Sequence, residues 1–205
     1  MAAVSAPYGL RAINHIGGTP YAGSTRLLPI ANGYNVNIYN GSIVSIVAGG
    51  TIEIVTTTGN GGGGAAAAFP AGTIGVFVGC TYSDPVTGNL TFSQYFPAGT
   101  AATDAQAYIV DDPDVVFMAQ ASAAVTAADL GQNTHLAAAQ STTTGTIPAG
   151  NSNTAVTATT ATTAAFAFRI VDFVDSPTST VGDAFTDLLV KFNAGVHSYN
   201  NSTGI

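Results

Sequence analysis

Three carboxylates stand within four positions in the stretch YIVDDPDVVF, at Asp111, Asp112 and Asp114 around Pro113, in a chain with eleven acidic residues among 205. Acids at that density suit a calcium loop, an acid/base pair or a tight turn. A working pair of carboxylates must face each other across a pocket. Neighbours in an extended chain point to opposite faces, which separates Asp111 from Asp112. A calcium loop spaces its ligands at alternate positions and closes with a bidentate glutamate. Asp112 and Asp114 have that spacing, but no acid follows until Asp129. The turn accounts for more of the stretch, because Asp suits the first position of a bend, Pro the second and Asp the third. The spacing therefore predicts a bend with Asp112, Pro113 and Asp114 at its first three positions, with Tyr108 and Val110 before it and Val115 and Phe117 after it as strand residues.

The other reactive residues are scattered. His15, His135 and His197 show no metal-ligand spacing. The single cysteine, Cys80, lies in an apolar run with no local cation to lower its pKa, and it reads as a buried thiol. The run GNGGGG resembles a phosphate cradle only in its glycines: no Lys precedes Lys191, and Pro70 stops any helix after the alanines. No Gly-x-Ser-x-Gly elbow occurs. No residue is assigned to catalysis, to a cofactor or to a metal, and the expectation is a protein that is not an enzyme. What stands out instead is suited to contact. Tyr8, Arg11, Tyr21 and Arg26 cluster near the start among prolines and glycines, and Arg and Tyr are favoured at interfaces. Arg169 and Asp172 sit in the aromatic stretch FRIVDFV as candidates for ion pairs between subunits, or for ordinary surface charge. Strict alternation there puts Asp172 with Phe168 and Ile170, opposite Arg169.

The elements that must carry these residues read as strands. Segments rich in Val, Ile, Phe, Tyr and Thr recur at 9–16, 24–30, 34–39, 41–47, 50–56, 73–82, 90–96, 105–110, 115–121, 165–174 and 187–199, between Gly, Pro and Asn clusters. The last is ambiguous, because Val181, Phe185, Leu188, Leu189 and Phe192 also fit a helix; its β-branched and aromatic content favours a strand. Residues 126–132 could form about one helical turn. Pro-Ala-Gly turns recur at 70–72, 97–99 and 148–150, and DPVTGN (84–89) reads as a hairpin loop. The fold expected is all-β, an antiparallel sandwich or barrel-like domain. Residues 1–30 would form an extended N-terminal arm or edge strands, and 31–205 a single domain. The Gly/Ala/Thr-rich stretches 56–72 and 137–165 would be exposed loops, or segments ordered only against a neighbouring subunit.

Charge is scarce: 7% of residues against about 25% in an average protein. Four basic and eleven acidic residues give a net charge of −7, which argues against nucleic acid and against an anionic membrane surface. No window is long and uninterrupted enough to span a bilayer, and the start of the chain lacks the regions of a signal peptide. Synthesis in a cytoplasm, without disulfides, is the expectation. A weakly charged, apolar-rich surface tends to associate, so an oligomer or a lattice protein is expected.

The segments APYGLRAI, GTPYAGSTRLLPI, YSDPVTGNLTFSQYFPAGT, AYIVDDPDVVF, FRIVDFV and DAFTDLLVKFNAGVHSYNNSTGI together resemble small structural proteins of tailed bacteriophages, of the capsid decoration or cement kind. That resemblance implies a protein without catalytic residues that binds the major capsid protein on the outer surface of the virion, across subunit seams, and stabilises the DNA-filled head. It implies self-association as a homotrimer, or else a dimer. The alternatives are a head- or tail-surface protein adhering to host glycans, and a minor tail or fibre component.

Overall fold

The structure is a computed structural model that describes residues 4–205. In chain order the strands are β1 (Arg11–His15), β2 (Arg26–Pro29), β3 (Ile38–Tyr39), β4 (Ile43–Ile46), β5 (Ile52–Ile54), β6 (Thr73–Ser83), β7 (Leu90–Ser93) and β8 (Tyr95–Phe96). They continue with β9 (Gln106–Val110), β10 (Val115–Gln120), β11 (Asn133–Thr134), β12 (Gly145–Thr146), β13 (Asn151–Ser152), β14 (Phe168–Phe173) and β15 (Asp187–Phe192). Helix among the described residues is limited to 3₁₀ turns at Gly64–Ala66, Ala127–Asp129 and Ser198–Asn200. The second falls in the expected helical segment and is closed by a reciprocal cap between Thr126 and Asp129.

Two antiparallel sheets pack face to face. One has the order β1-β10-β15-β14-β11, the other β2-β9-β6-β4-β5 with β7 extending along β6. Between them lies a core built from Val76, Val110, Phe117, Phe168, Ile170, Leu188, Val190 and Phe192 among others. Phe168 packs edge-to-face on Phe69 and against Phe192, and aromatic pairs of this kind add to the burial of their area. The six-stranded sheet has a second apolar face, where Ile38, Val44, Ile74, Phe77, Phe96 and Ile109 form another core under the short β3–β8 pair and its loops. Central strand β6 is therefore covered on both faces. A strand so placed reads as a near-continuous apolar run, which explains TIGVFVGCTY. Gly75 and Gly79 fall where the register of β6 against β4 and β9 shifts, and these bulges decide which core each side chain enters. A Cβ on Gly75, at φ +148°, would overlap the Val110 carbonyl oxygen.

Strand β15 alternates cleanly, with Leu188, Val190 and Phe192 inward, so tertiary packing selects the strand over the helical reading of that segment. β1 and β2 lie at the edges of the two sheets, pairing with β10 and β9. The two Gly/Ala/Thr-rich stretches differ from their expected character as exposed loops. Stretch 56–72 is pinned by Phe69 in the core and by the bond from the Leu136 N–H to the Thr58 carbonyl, although Gly61–Ala65 stays exposed. Stretch 137–165 supplies β12, β13 and the buried residues Gln140, Ser152, Thr154 and Val156. Gln140 accounts for much of this: its side-chain oxygen accepts from the Ile43 N–H at 2.9 Å, and its amide donates to the Ile43 and Val55 carbonyls at 3.1 and 2.9 Å. A composition poor in large side chains is ordered here through hydrogen bonds to buried backbone, which the apolar pattern of a sequence does not register.

Candidate interaction surfaces

The acidic bend lies where the chain crosses from one sheet to the other, between β9 and β10. The Val115 N–H closes the turn on the Asp112 carbonyl, and the Asp114 N–H bonds the Asp112 carboxylate at 2.8 Å, as the Asp-Pro-Asp order predicts. The chain's other crossing beside it, from β1 to β2, runs to the matching sheet edges. The three carboxylates tie these crossings together. Asp111 pairs with Arg26 of β2 at 2.8 Å and Asp114 with Lys191 of β15 at 2.7 Å, and Asp112 lies 3.5 Å from the His15 Nδ1 of β1, an ion pair when that imidazole is protonated. These are the ion pairs found among the described residues, so the charged network of the fold is concentrated at one corner. The lysine beside Asp114 lowers that carboxyl below its ordinary pKa. The C-terminal segment completes the corner: the Tyr199 hydroxyl donates to Asp111 at 2.8 Å, and the Arg26 guanidinium lies over the Tyr199 ring. His197 beneath it is 1% exposed, with its ring against Phe192 and Tyr199. Burial pushes its pKa down, and its Nδ1 accepts from the Tyr199 N–H at 3.2 Å.

The outer face of the five-stranded sheet carries two shallow clefts that share Ile16 and Val171. The larger, of about 320 Å³, holds Arg169 and Lys191; the smaller, of about 170 Å³, holds Asp172 with Asn14 and His15. Strict alternation had set Arg169 and Asp172 on opposite faces. A register shift between Ile170 and Asp172 changes the phase of β14, so Asp172 turns outward while Phe173 packs on the core. Both candidate residues therefore line the same face. Within the chain Arg169 donates from Nε to Asn133, and Asp172 accepts from the Phe173 N–H.

A third surface is the β6–β7 hairpin. Its loop closes through the Asp84 N–H to the Asn89 carbonyl, with the Asp84 carboxylate accepting from the Val86 N–H at 2.7 Å. β7 pairs only with β6 among the described residues, leaving its outer edge open. On β7 Leu90 and Phe92 are 61% and 70% exposed, and Val86 in the adjoining loop is 90% exposed.

The remaining candidates sit inside the chain's own contacts. The Tyr8 hydroxyl donates to Asp187 at 2.9 Å with Arg11 stacked over its ring, and burial raises the Tyr8 pKa. Tyr21 bonds the Ser24 carbonyl and lies near His15. The six residues thus fall in three places: Tyr8 and Arg11 near Asp187, Tyr21 and Arg26 toward the acidic corner, Arg169 and Asp172 on the outer face. Sequence reasoning missed Gln140 and Asn133, which stand alone in polar or small-residue runs, and singled out His197 only as one of three scattered histidines; the exposed Leu90 and Phe92 lie in a segment read as a strand, a reading that leaves its solvent-facing side open. Cys80 is buried and its pKa is pushed up to about 12 by desolvation, the setting of an inert thiol. No protein-family model, curated protein or solved structure matches the chain.

Proposed function

We propose that this chain is a decoration protein of a tailed-bacteriophage head, which binds the major capsid protein on the outer surface of the shell and adds contact area across subunit seams. The observation that carries the reading is the open β7 edge, with Val86, Leu90 and Phe92 exposed on a rigid two-sheet scaffold. An unpaired edge with apolar side chains is a liability in a free monomer and is normally blunted by charge or proline. Here only Asp84 and Pro85 in the adjoining loop do so. Such an edge suits burial against a lattice partner. The low charge and the acidic balance accord with an outward position, away from packaged DNA. Self-association as a homotrimer around a local symmetry axis belongs to the same reading.

Addition of the purified protein to undecorated heads tests it. Saturable binding with raised resistance of full heads to heating is expected, and Phe92→Asp, which places a charge on the exposed face of β7, should weaken binding without unfolding the protein. Binding equal to wild type in Phe92→Asp would remove this edge from the contact, and no binding to heads at all would reject the role.

A further inference from the structure

We infer that the larger cleft on the outer face of the five-stranded sheet is a binding site for a small organic carboxylate, read by the Arg169 guanidinium with Lys191 beside it. The chain has four basic residues, and two of them stand directly opposite each other on neighbouring strands, Arg169 on β14 and Lys191 on β15. Like charges at cross-strand positions destabilise a sheet. A chain with net charge −7 has acids enough to neutralise both. Yet only Lys191 has a carboxylate partner, Asp114, and that residue is itself 62% exposed. Among the described residues no carboxylate lies within ion-pair distance of Arg169.

The guanidinium is also held in place. Its Nε donates to Asn133 Oδ1 at 3.1 Å, and Asn133 is 2% exposed and anchored by its own amide to the Thr163 carbonyl at 2.8 Å. A buried amide therefore orients a cation whose remaining N–H groups have no acceptor among the described residues. A planar fork so fixed matches a carboxylate through two parallel hydrogen bonds. Ile16 and Val171 form apolar walls, and Asn200 lies on the rim. The volume, about 320 Å³, is at the small end of ligand sites. The ligand it fits is a carboxylate on a short branched or cyclic apolar body.

This site is independent of the decoration reading, and it is tested on the isolated full chain. Isobutyrate, acetate and inorganic phosphate are titrated at constant ionic strength while the backbone amide and Arg Nε–H resonances are followed. Saturable shifts at Arg169, Val171 and Lys191 are expected, with isobutyrate binding more tightly than acetate and phosphate more weakly than either. Arg169→Lys keeps the charge and loses the fork, and should weaken isobutyrate by at least about tenfold. Val171→Asp places a carboxylate in the cleft and should block binding while the fold persists, which guards against a misfolded Arg169 variant. Shifts that do not saturate, equal affinity for phosphate and isobutyrate, or unchanged binding in both variants would overturn the assignment.

Discussion

Replacing Gln140 by Leu tests whether the stretch 137–165 is part of the domain's framework. Leu has similar volume and fills the site, so the change removes hydrogen bonds with little cavity. The Ile43 carbonyl keeps a partner, since it also accepts from the Val55 N–H at 3.0 Å. The Ile43 N–H and the Val55 carbonyl lose theirs, and both residues are essentially inaccessible to water. Each orphaned buried group costs about 1–3 kcal/mol, and the apolar side chain returns part of it, giving a net loss of about 3 kcal/mol. For a chain of this size that lowers Tm by about 6–12 °C. Urea and thermal denaturation followed by circular dichroism would measure it. A Gln140→Leu protein within about 1 kcal/mol of wild type, with the same dependence on urea, would refute the claim that this amide holds the stretch to the six-stranded sheet.

At the acidic corner, Asp111→Asn keeps the shape and removes the charge shared by Arg26 and Tyr199; a loss of about 1–2 kcal/mol is expected, with a coupling to Arg26→Gln that a double-mutant cycle should detect. Gly75→Ala should cost at least about 3 kcal/mol or prevent soluble expression, because its methyl overlaps the Val110 carbonyl oxygen across the β6–β9 ladder. Stability should fall with acid in two overlapping phases. His197 has a folded pKa below its unfolded one, so the unfolded chain takes up its proton first; this stability is complete above an unfolded pKa of about 6.5 and is lost as pH falls through the lower folded value. Asp114, whose folded pKa is also depressed, contributes in the same direction at lower pH, where its partner is Lys191. His197→Phe should flatten the upper phase of a stability-against-pH curve and leave the lower one.

The strand segments were legible because β-branched and aromatic residues alternate between marked turns, and each of the segments read as a strand contains one. The bend at Asp112–Val115 was legible for the same local reason. What was hidden depends on register. A single shift in β14 moves Asp172 to the face of Arg169, and bulges at Gly75 and Gly79 distribute β6 between two cores. Neither follows from period-two counting. The partners of the three aspartates were hidden as well, since His15, Arg26 and Lys191 stand on three different strands that meet the bend only in the folded chain. Buried polar side chains such as Gln140 and Asn133 leave no hydrophobic trace at all. Leu90 and Phe92 alternate with Thr91 and Ser93, and a period of two does not say which face meets solvent.

The proposed function is that this chain covers the outside of a phage head. A reconstruction of purified particles, with the two-sheet domain fitted into it, tests that most directly. Density for the domain is expected over the whole outer surface, repeated at the local symmetry axes, with the β6–β7 hairpin turned toward the capsid. Density confined to one vertex or to the tail, or none on the shell, would contradict it.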